Sequence, residues 1–346
     1  MTVLIVSAVD PAGPPQGDRN RLMGAVRAVE RLGGAVTVAV AGQHPGLVRA
    51  AWPIRLGGAW RSPYMLRSGW HWAGSAVDGV IAFQLRMAPV ALRVPAAWRV
   101  LDLTDSLDWY RRGLGWRPGA WMKQATLWGV GAEERRWAPR FDQVWVSAAP
   151  DQKWLAGRGV AALVVENGVA ECRRLPPGDP RHLLLVGNFA YLPNRQGLSH
   201  MLALWPGLAA AGYRLTVVGE GSQGLFGPGL RGQGRVPDLL PYYQAAGIAV
   251  SPVRWGAGSP NKVLEALGFA RPVVADPGGV GGLTERQRAA VEVARTPGEW
   301  LSALERLQDP ACYRQKAWQG SQAVELWGEA AGRALGCLPV GWDDPP

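Results

Sequence analysis

Short runs rich in β-branched residues recur along this chain, separated by longer stretches of helix-forming composition, and this alternation narrows the fold more than any other feature. Residues 3–6, 36–40, 79–83, 99–102 and 143–146 read as strands in the first half, and 182–186, 214–218, 248–250 and 273–275 in the second. Strands that alternate with helices build parallel sheets covered on both faces. A chain of 346 residues is long enough for two such domains, each with its own core. The crossover between them falls near residues 166–180, which end in the loop-forming Pro176-Pro-Gly-Asp-Pro180. Residues 106–137 and 299–335 read as helical, and 341–346 as a frayed end.

One segment carries most of the chemistry. An apolar run, residues 247–253, passes into a turn rich in Gly and Pro and then directly into a helix-forming segment, 261–269. A helix start presents unpaired backbone N–H groups and the positive end of a dipole, so small residues in front of it favour a diphosphate. Gly256, Gly258 and Ser259 let a backbone come close to an anion, and Asn261 or Ser259 is placed to cap the helix. Lys262 adds a full positive charge in the first turn. Glu265 lies three residues further along the same face, where its carboxylate would accept hydrogen bonds from ribose hydroxyls. An isolated Lys-x-x-Glu is more often an ordinary surface pair, but here its surroundings argue for a ligand.

From Gly234 to Asp276 the chain resembles the donor-binding core of family-4 (group 1) nucleotide-sugar glycosyltransferases of the GT-B fold. The order is strand, Pro, Gly-rich loop, Lys262, Val263-Leu-Glu-Ala266, then Pro272-Val-Val-Ala275. Val3-Leu-Ile-Val6, followed by Pro14 to Arg21, is similar to the opening of a bacterial exopolysaccharide-associated branch, in which Gly-Asp-basic-x-Arg begins the first helix. Residues 141–147, the Asn167-Gly-Val169 segment, and 184–189 with Pro193-Asn194 resemble the end of the first domain, the interdomain segment and the start of the second.

The resemblance implies an α/β fold of two Rossmann-like, doubly wound parallel-sheet domains facing each other across a cleft. Residues 1–168 would bind the acceptor and 169–335 the donor, the final helix would cross back onto the first domain, and 336–346 would form a tail. It implies a retaining, metal-independent enzyme without a bound cofactor. Such an enzyme moves a hexose from a UDP- or GDP-linked donor to a glycan, lipid-linked or small-molecule acceptor in cell-surface polysaccharide synthesis. Lys262 and Glu265 would be catalytic. Gly17, Gly187, Asn188, Arg195, Val236, Arg254, Gly256, Gly258, Ser259 and Asn261 would join them around the donor, and Asp18, Arg21 and Asp105 would serve the acceptor. Asp102 and Asp105 lie where a strand ends, the place at which open α/β sheets hold ligands; capping the next helix is the other role open to Asp105. Two positions depart from the family pattern. Ala257 stands where many members carry the first of two glutamates eight positions apart, and Asn188 where a basic pair often follows the strand. Phosphate neutralisation then falls mainly on Lys262, with Arg195 or Arg254 beside it.

Composition narrows the alternatives. A chain 48% hydrophobic and 18% charged is globular rather than disordered. Cys172, Cys312 and Cys337 form no Cys-x-x-Cys, and the four histidines have no metal-ligand spacing, which argues against a disulfide framework or a zinc site. The first residues lack a basic leader and no apolar run of about 18 residues occurs, so a cytoplasmic protein is expected. Charge is uneven: residues 1–165 hold 20 Lys+Arg against 11 Asp+Glu, and 12 of the 18 tryptophans. A basic, Trp-rich first half suits an anionic or lipid-linked acceptor and peripheral contact with the inner membrane face. Nucleic acid is a poor fit, since no basic run exists.

Gly219 to Gly224 matches Gly-x-Gly-x-x-Gly literally, but residues 225–232 read as a loop and not as the helix that a dinucleotide fingerprint needs. No Walker-type Gly-Lys-Ser/Thr, Gly-x-Ser-x-Gly, His-Glu-x-x-His or Asp-x-Asp occurs. Two other readings stay open. One is a GT-B protein without catalysis that acts as a binding partner in polysaccharide assembly, for which Ala257 and Asn188 speak. The other is a nucleotide-sugar 2-epimerase, whose basic and carboxylate-rich centre is not evident here.

Overall fold

The computed structural model describes residues 1–13, 17–49, 55–56, 59–60, 62–67, 70–115, 119–256 and 258–338. Ala257 and residues 339–346 lie outside them, as do Pro14, Pro15 and Gln16 of the first loop. The chain divides into two compact units, Met1–Gly168 with Trp327–Pro346, and Val169–Leu326.

The first unit is built on six parallel strands in the order Leu163–Val164, Gln143–Val146, Ala96–Thr104, Val77–Phe83, Thr2–Ser7, Ala35–Val40. Thr2–Ser7 is buried at five consecutive positions, as a strand covered on both faces must be. The order reverses at this strand, because the chain leaves it to one side for Ala35–Val40 and returns on the other for Val77–Phe83. Side chains at the carboxyl ends of these strands therefore converge where ligands bind in open α/β sheets. Helix Gly17–Arg31 follows the first strand and buries Leu22, Ala25, Val26 and Val29. Against it packs the final helix, Glu329–Gly336. Gly328, at φ 95°, lets them touch: a Cβ there would lie 2.5 Å from the Gly24 carbonyl oxygen. The stretch 106–137, expected as one helical segment, is three short helices, Leu107–Leu114, Trp121–Thr126 and Val130–Trp137. Gly115 and Gly129, both at positive φ, make two of the breaks.

The second unit has six parallel strands in the order Leu230–Gly234, Arg214–Val218, Asp179–Val186, Ala246–Ser251, Val273–Ala275, Val291–Val293, with Phe226–Gly227 added antiparallel at one edge. Here the order reverses between Asp179–Val186 and Ala246–Ser251. The four strands expected from sequence are present. Three more were not anticipated, and residues 225–232, expected as a loop, contribute to two of them as a hairpin. Leu230-Arg-Gly-Gln-Gly234 contains no β-branched residue. It is held as a strand by its register on Arg214–Val218 rather than by propensity. No helix follows Gly219 to Gly224, which forms a strand-end turn in which the Ser222 hydroxyl donates to the Gly219 carbonyl. One face of the sheet packs on a core containing Leu183, Leu185, Met201, Trp205 and Trp300; the other packs on Leu184, Tyr243, Leu264, Leu267 and Phe269.

Candidate active site

In the second unit, the carboxyl ends of Asp179–Val186 and Ala246–Ser251 part at the reversal point and leave a recess lined by Val186, Tyr243, Ser251, Lys262 and Val263. The loop after Ser251 leads into helix Asn261–Gly268, whose buried side, Val263, Leu264, Ala266 and Leu267, fixes its rotation about its axis. That rotation leaves Lys262 and Glu265 half-buried at the recess side. The cap position falls on Pro260, which makes no side-chain cap hydrogen bond, rather than on Ser259 or Asn261 as expected.

Lys262 Nζ donates to Asn194 Oδ1 at 2.5 Å, and Asn194 Nδ2 donates to the Asn188 carbonyl at 2.9 Å. Among the described residues no carboxylate pairs with Lys262, and burial brings its ammonium down to about 8. A neutral amide therefore orients this cation and leaves its charge uncompensated, which suits it to an incoming anion. Glu265 Oε2 accepts from the Tyr243 hydroxyl at 3.1 Å, and burial raises both its pKa and that of Tyr243.

The surrounding loops are set by close backbone contacts. Gly258 has φ 71°, which favours glycine; a Cβ on Gly278 would fall 2.2 Å from the backbone carbon of Arg254. The loop that starts at Asp276 thus packs directly under the Arg254 loop, while Asp276 Oδ2 lies 3.4 Å from His200 Nε2. Gly256 has neither a positive φ nor a near neighbour at its Cβ position. Arg254 and Arg195 are exposed. Gly187 is approached by Gly219, whose Cβ would lie 1.8 Å from the Gly187 oxygen. Val236 packs on the cluster that includes Tyr243. Gly187, Asn188, Lys262 and Glu265 are thus brought together by the sheet, with Asn194, Tyr243 and Ser251 as neighbours that the sequence did not single out.

In the first unit, Gly17 opens helix Gly17–Arg31, and Asp18 in its first turn accepts from Gln84 Nε2 at 3.0 Å. Burial raises the Asp18 pKa. Gln84 in turn accepts from Arg86, whose Nε donates to the Tyr64 hydroxyl. Arg21, the third residue expected at the acceptor, is held from several sides. It is 4% exposed, its Nε meets both Asp102 carboxylate oxygens at 2.9 Å, and its Nη1 donates to the Val165 carbonyl and to Asn167 Oδ1. Arg21 and Asp102 form a buried ion pair. Asp105 does not cap the next helix; Ser106 does, its hydroxyl accepting from Trp109 N. Asp105 instead accepts from the Ser147 hydroxyl at 2.7 Å, and burial pushes its carboxyl up to about 6. Gln84 and Thr104, at the ends of adjacent strands, have φ of 72° and 68°. Such strain costs on the order of 1–3 kcal/mol per residue and tends to gather where side chains are held for function.

Residues 180–309 match the sequence family described as Glycosyl transferases group 1. No curated protein matches the sequence closely. Among solved structures, HepE from Anabaena, in complex with UDP and glucose, is similar with a TM-score of 0.63 and 16% identity, covering 98% of this chain and 100% of that one. A glycosyltransferase from Rickettsia africae gives 0.60 at 12% identity, covering 96% of both chains. WaaG, a glycosyltransferase involved in lipopolysaccharide biosynthesis, gives 0.57 at 12% identity, covering 98% and 100%. The match to Glycosyl transferases group 1 is confined to residues 180–309, and the chain as a whole has the fold of the GT-B glycosyltransferases.

Proposed function

We propose that this protein moves a hexose from a nucleotide diphosphate sugar to a hydroxyl of a glycan, lipid-linked or small-molecule acceptor, with retention of anomeric configuration. The observation that carries the reading is the uncompensated Lys262 cation, held by Asn194 at the sheet reversal three residues from Glu265. In this reading Lys262 and the start of helix Asn261–Gly268 stabilise the negative charge that builds on the departing diphosphate. Glu265, oriented by Tyr243, accepts from the ribose hydroxyls. The departing diphosphate oxygen takes the acceptor proton on the face it leaves, so the carbon–oxygen bond to the acceptor forms as that to phosphate breaks. Asp105 and Asp18 hold the acceptor hydroxyl. The UDP-bound state of HepE supports a UDP donor, with GDP as the other candidate.

Kinetics of two variants test this assignment. Lys262→Ala should lower kcat by about 10²–10³ with a smaller change in donor Kd, because its charge matters most as the leaving group develops. Glu265→Ala should weaken nucleotide binding itself. Wild-type donor turnover, including hydrolysis without acceptor, that is unchanged in both variants would remove Lys262 and Glu265 from the mechanism. A protein that binds nucleotide yet never turns over donor would be a non-catalytic partner.

A further inference from the structure

The loop that leads from strand Ala246–Ser251 into helix Asn261–Gly268 runs Pro252-Val-Arg-Trp-Gly-Ala-Gly-Ser-Pro260, and it contains no carboxylate and no side-chain amide. Its one aromatic residue is Trp255, half-buried between the exposed Arg254 and Gly256.

Trp255 is held at its edge and along its backbone. The indole Nε1 donates to Gln196 Oε1 at 2.7 Å. Gln196 lies in the second turn of helix Leu192–Ala210, two residues beyond the Asn194 that holds Lys262. The same helix meets the start of the loop, where a Cβ on Gly197 would lie 2.9 Å from the Pro252 oxygen. On its other side, Gly278 and Gly282 have no room for a Cβ against the Trp255 nitrogen and the Gly258 oxygen. Close packing therefore fixes the backbone before, at and after Trp255, while Gln196 ties the polar edge of the ring.

This loop is what the sugar of a bound donor would meet. Lys262 and the start of its helix take the diphosphate, and the hexose is joined to the outer phosphate through a single oxygen. It must rest against the surroundings of the helix start, to which residues 252–260 are the approach. For sugar hydroxyls the loop has its backbone, Ser259 and the Arg254 guanidinium; for the C–H face of a pyranose it has Trp255. An indole suits such a face, because apolar surface is buried and the negative face of the ring attracts polarised C–H groups.

We propose that Trp255 is a donor-binding residue that holds the hexose by stacking on its C–H face, and that Gln196 is the positioning residue that sets the ring. The inference rests on the donor-site reading and adds to it the face by which the pyranose is recognised.

Titration calorimetry of the full-length protein separates sugar from nucleotide, using UDP against UDP-glucose and GDP against GDP-mannose. For the pair that the wild type binds, Trp255→Ala should weaken the sugar nucleotide by about tenfold and leave the bare nucleotide within about twofold of the wild type. Trp255→Phe, which keeps an aromatic ring, should recover most of that loss, and Gln196→Leu should show the same selective loss at a smaller size. Equal losses for sugar nucleotide and bare nucleotide in Trp255→Ala would make Trp255 a packing residue and overturn the proposal, as would no loss in either. A wild type that binds UDP or GDP but neither sugar nucleotide would overturn it while the nucleotide site stands. A wild type that binds none of the four would overturn the donor-site reading, and the proposal with it.

Discussion

Lys262 depends on where its charge stands. Burial without a carboxylate partner brings its ammonium down to about 8, and a bound diphosphate would push it back up. Asp105 is shifted the other way, to about 6. If the charged forms of both are the working ones, kcat/KM should rise as Asp105 ionises through about pH 6 and fall as Lys262 loses its proton through about pH 8. Asp105→Asn should flatten the acid limb, and Lys262→Arg should carry the alkaline limb out of range. A profile level from about pH 5 to about pH 9 would contradict both roles. Lys262 and Glu265 stood out in the sequence because the Gly-rich loop and the pattern around them resemble a donor site, and helical spacing puts the two on one side. Their partners were not, since Asn194 and Tyr243 lie 68 and 22 residues away in sequence. The partners of Arg21 were hidden for the same reason: only folding brings Asp102, Val165 and Asn167 around it.

Each element near the site ends for a physical reason, and one ends at a cost. Helix Asn261–Gly268 closes with Ala270 N–H donating to the Leu267 carbonyl and Arg271 N–H to that of Ala266, the paired bonds of a Schellman motif. The left-handed position in that motif belongs to glycine, yet Ala270 occupies it at φ 53°. Ala270→Gly should therefore stabilise the protein by ~0.5–1 kcal/mol, because relief of the left-handed strain outweighs the loss of one buried methyl. Denaturant unfolding would show the gain as a higher midpoint at constant m, and a lower midpoint would mean that the methyl's packing dominates. Elements with strong local signals, such as Thr2–Ser7 and Ala246–Ser251, were legible in the sequence. Leu230–Gly234 was not, because its pairing is imposed from outside. The helices between 106 and 137 were read as one because Gly115 and Gly129 interrupt an otherwise continuous helical composition.

At the scale of the molecule, each unit is built on six parallel strands whose order reverses once, and in each the residues proposed for function collect at the carboxyl ends beside that reversal. The alternation of strand and helix made this architecture readable, and each unit's buried strands account for why it holds. Electrostatics differ between the units, since most of the net charge of +10 comes from the first 165 residues. The central claim, however, belongs to the second unit: the recess between Val186 and Lys262 is a nucleotide diphosphate site. The thermal midpoint of the purified protein against UDP, GDP, ADP and TDP, repeated with Glu265→Ala, tests it most directly. A ligand that binds only the folded state adds about 2.7 kcal/mol at a hundredfold excess over Kd, enough to raise the midpoint clearly. The account predicts a rise with UDP or GDP that is lost in Glu265→Ala; no rise with any of the four nucleotides would contradict it.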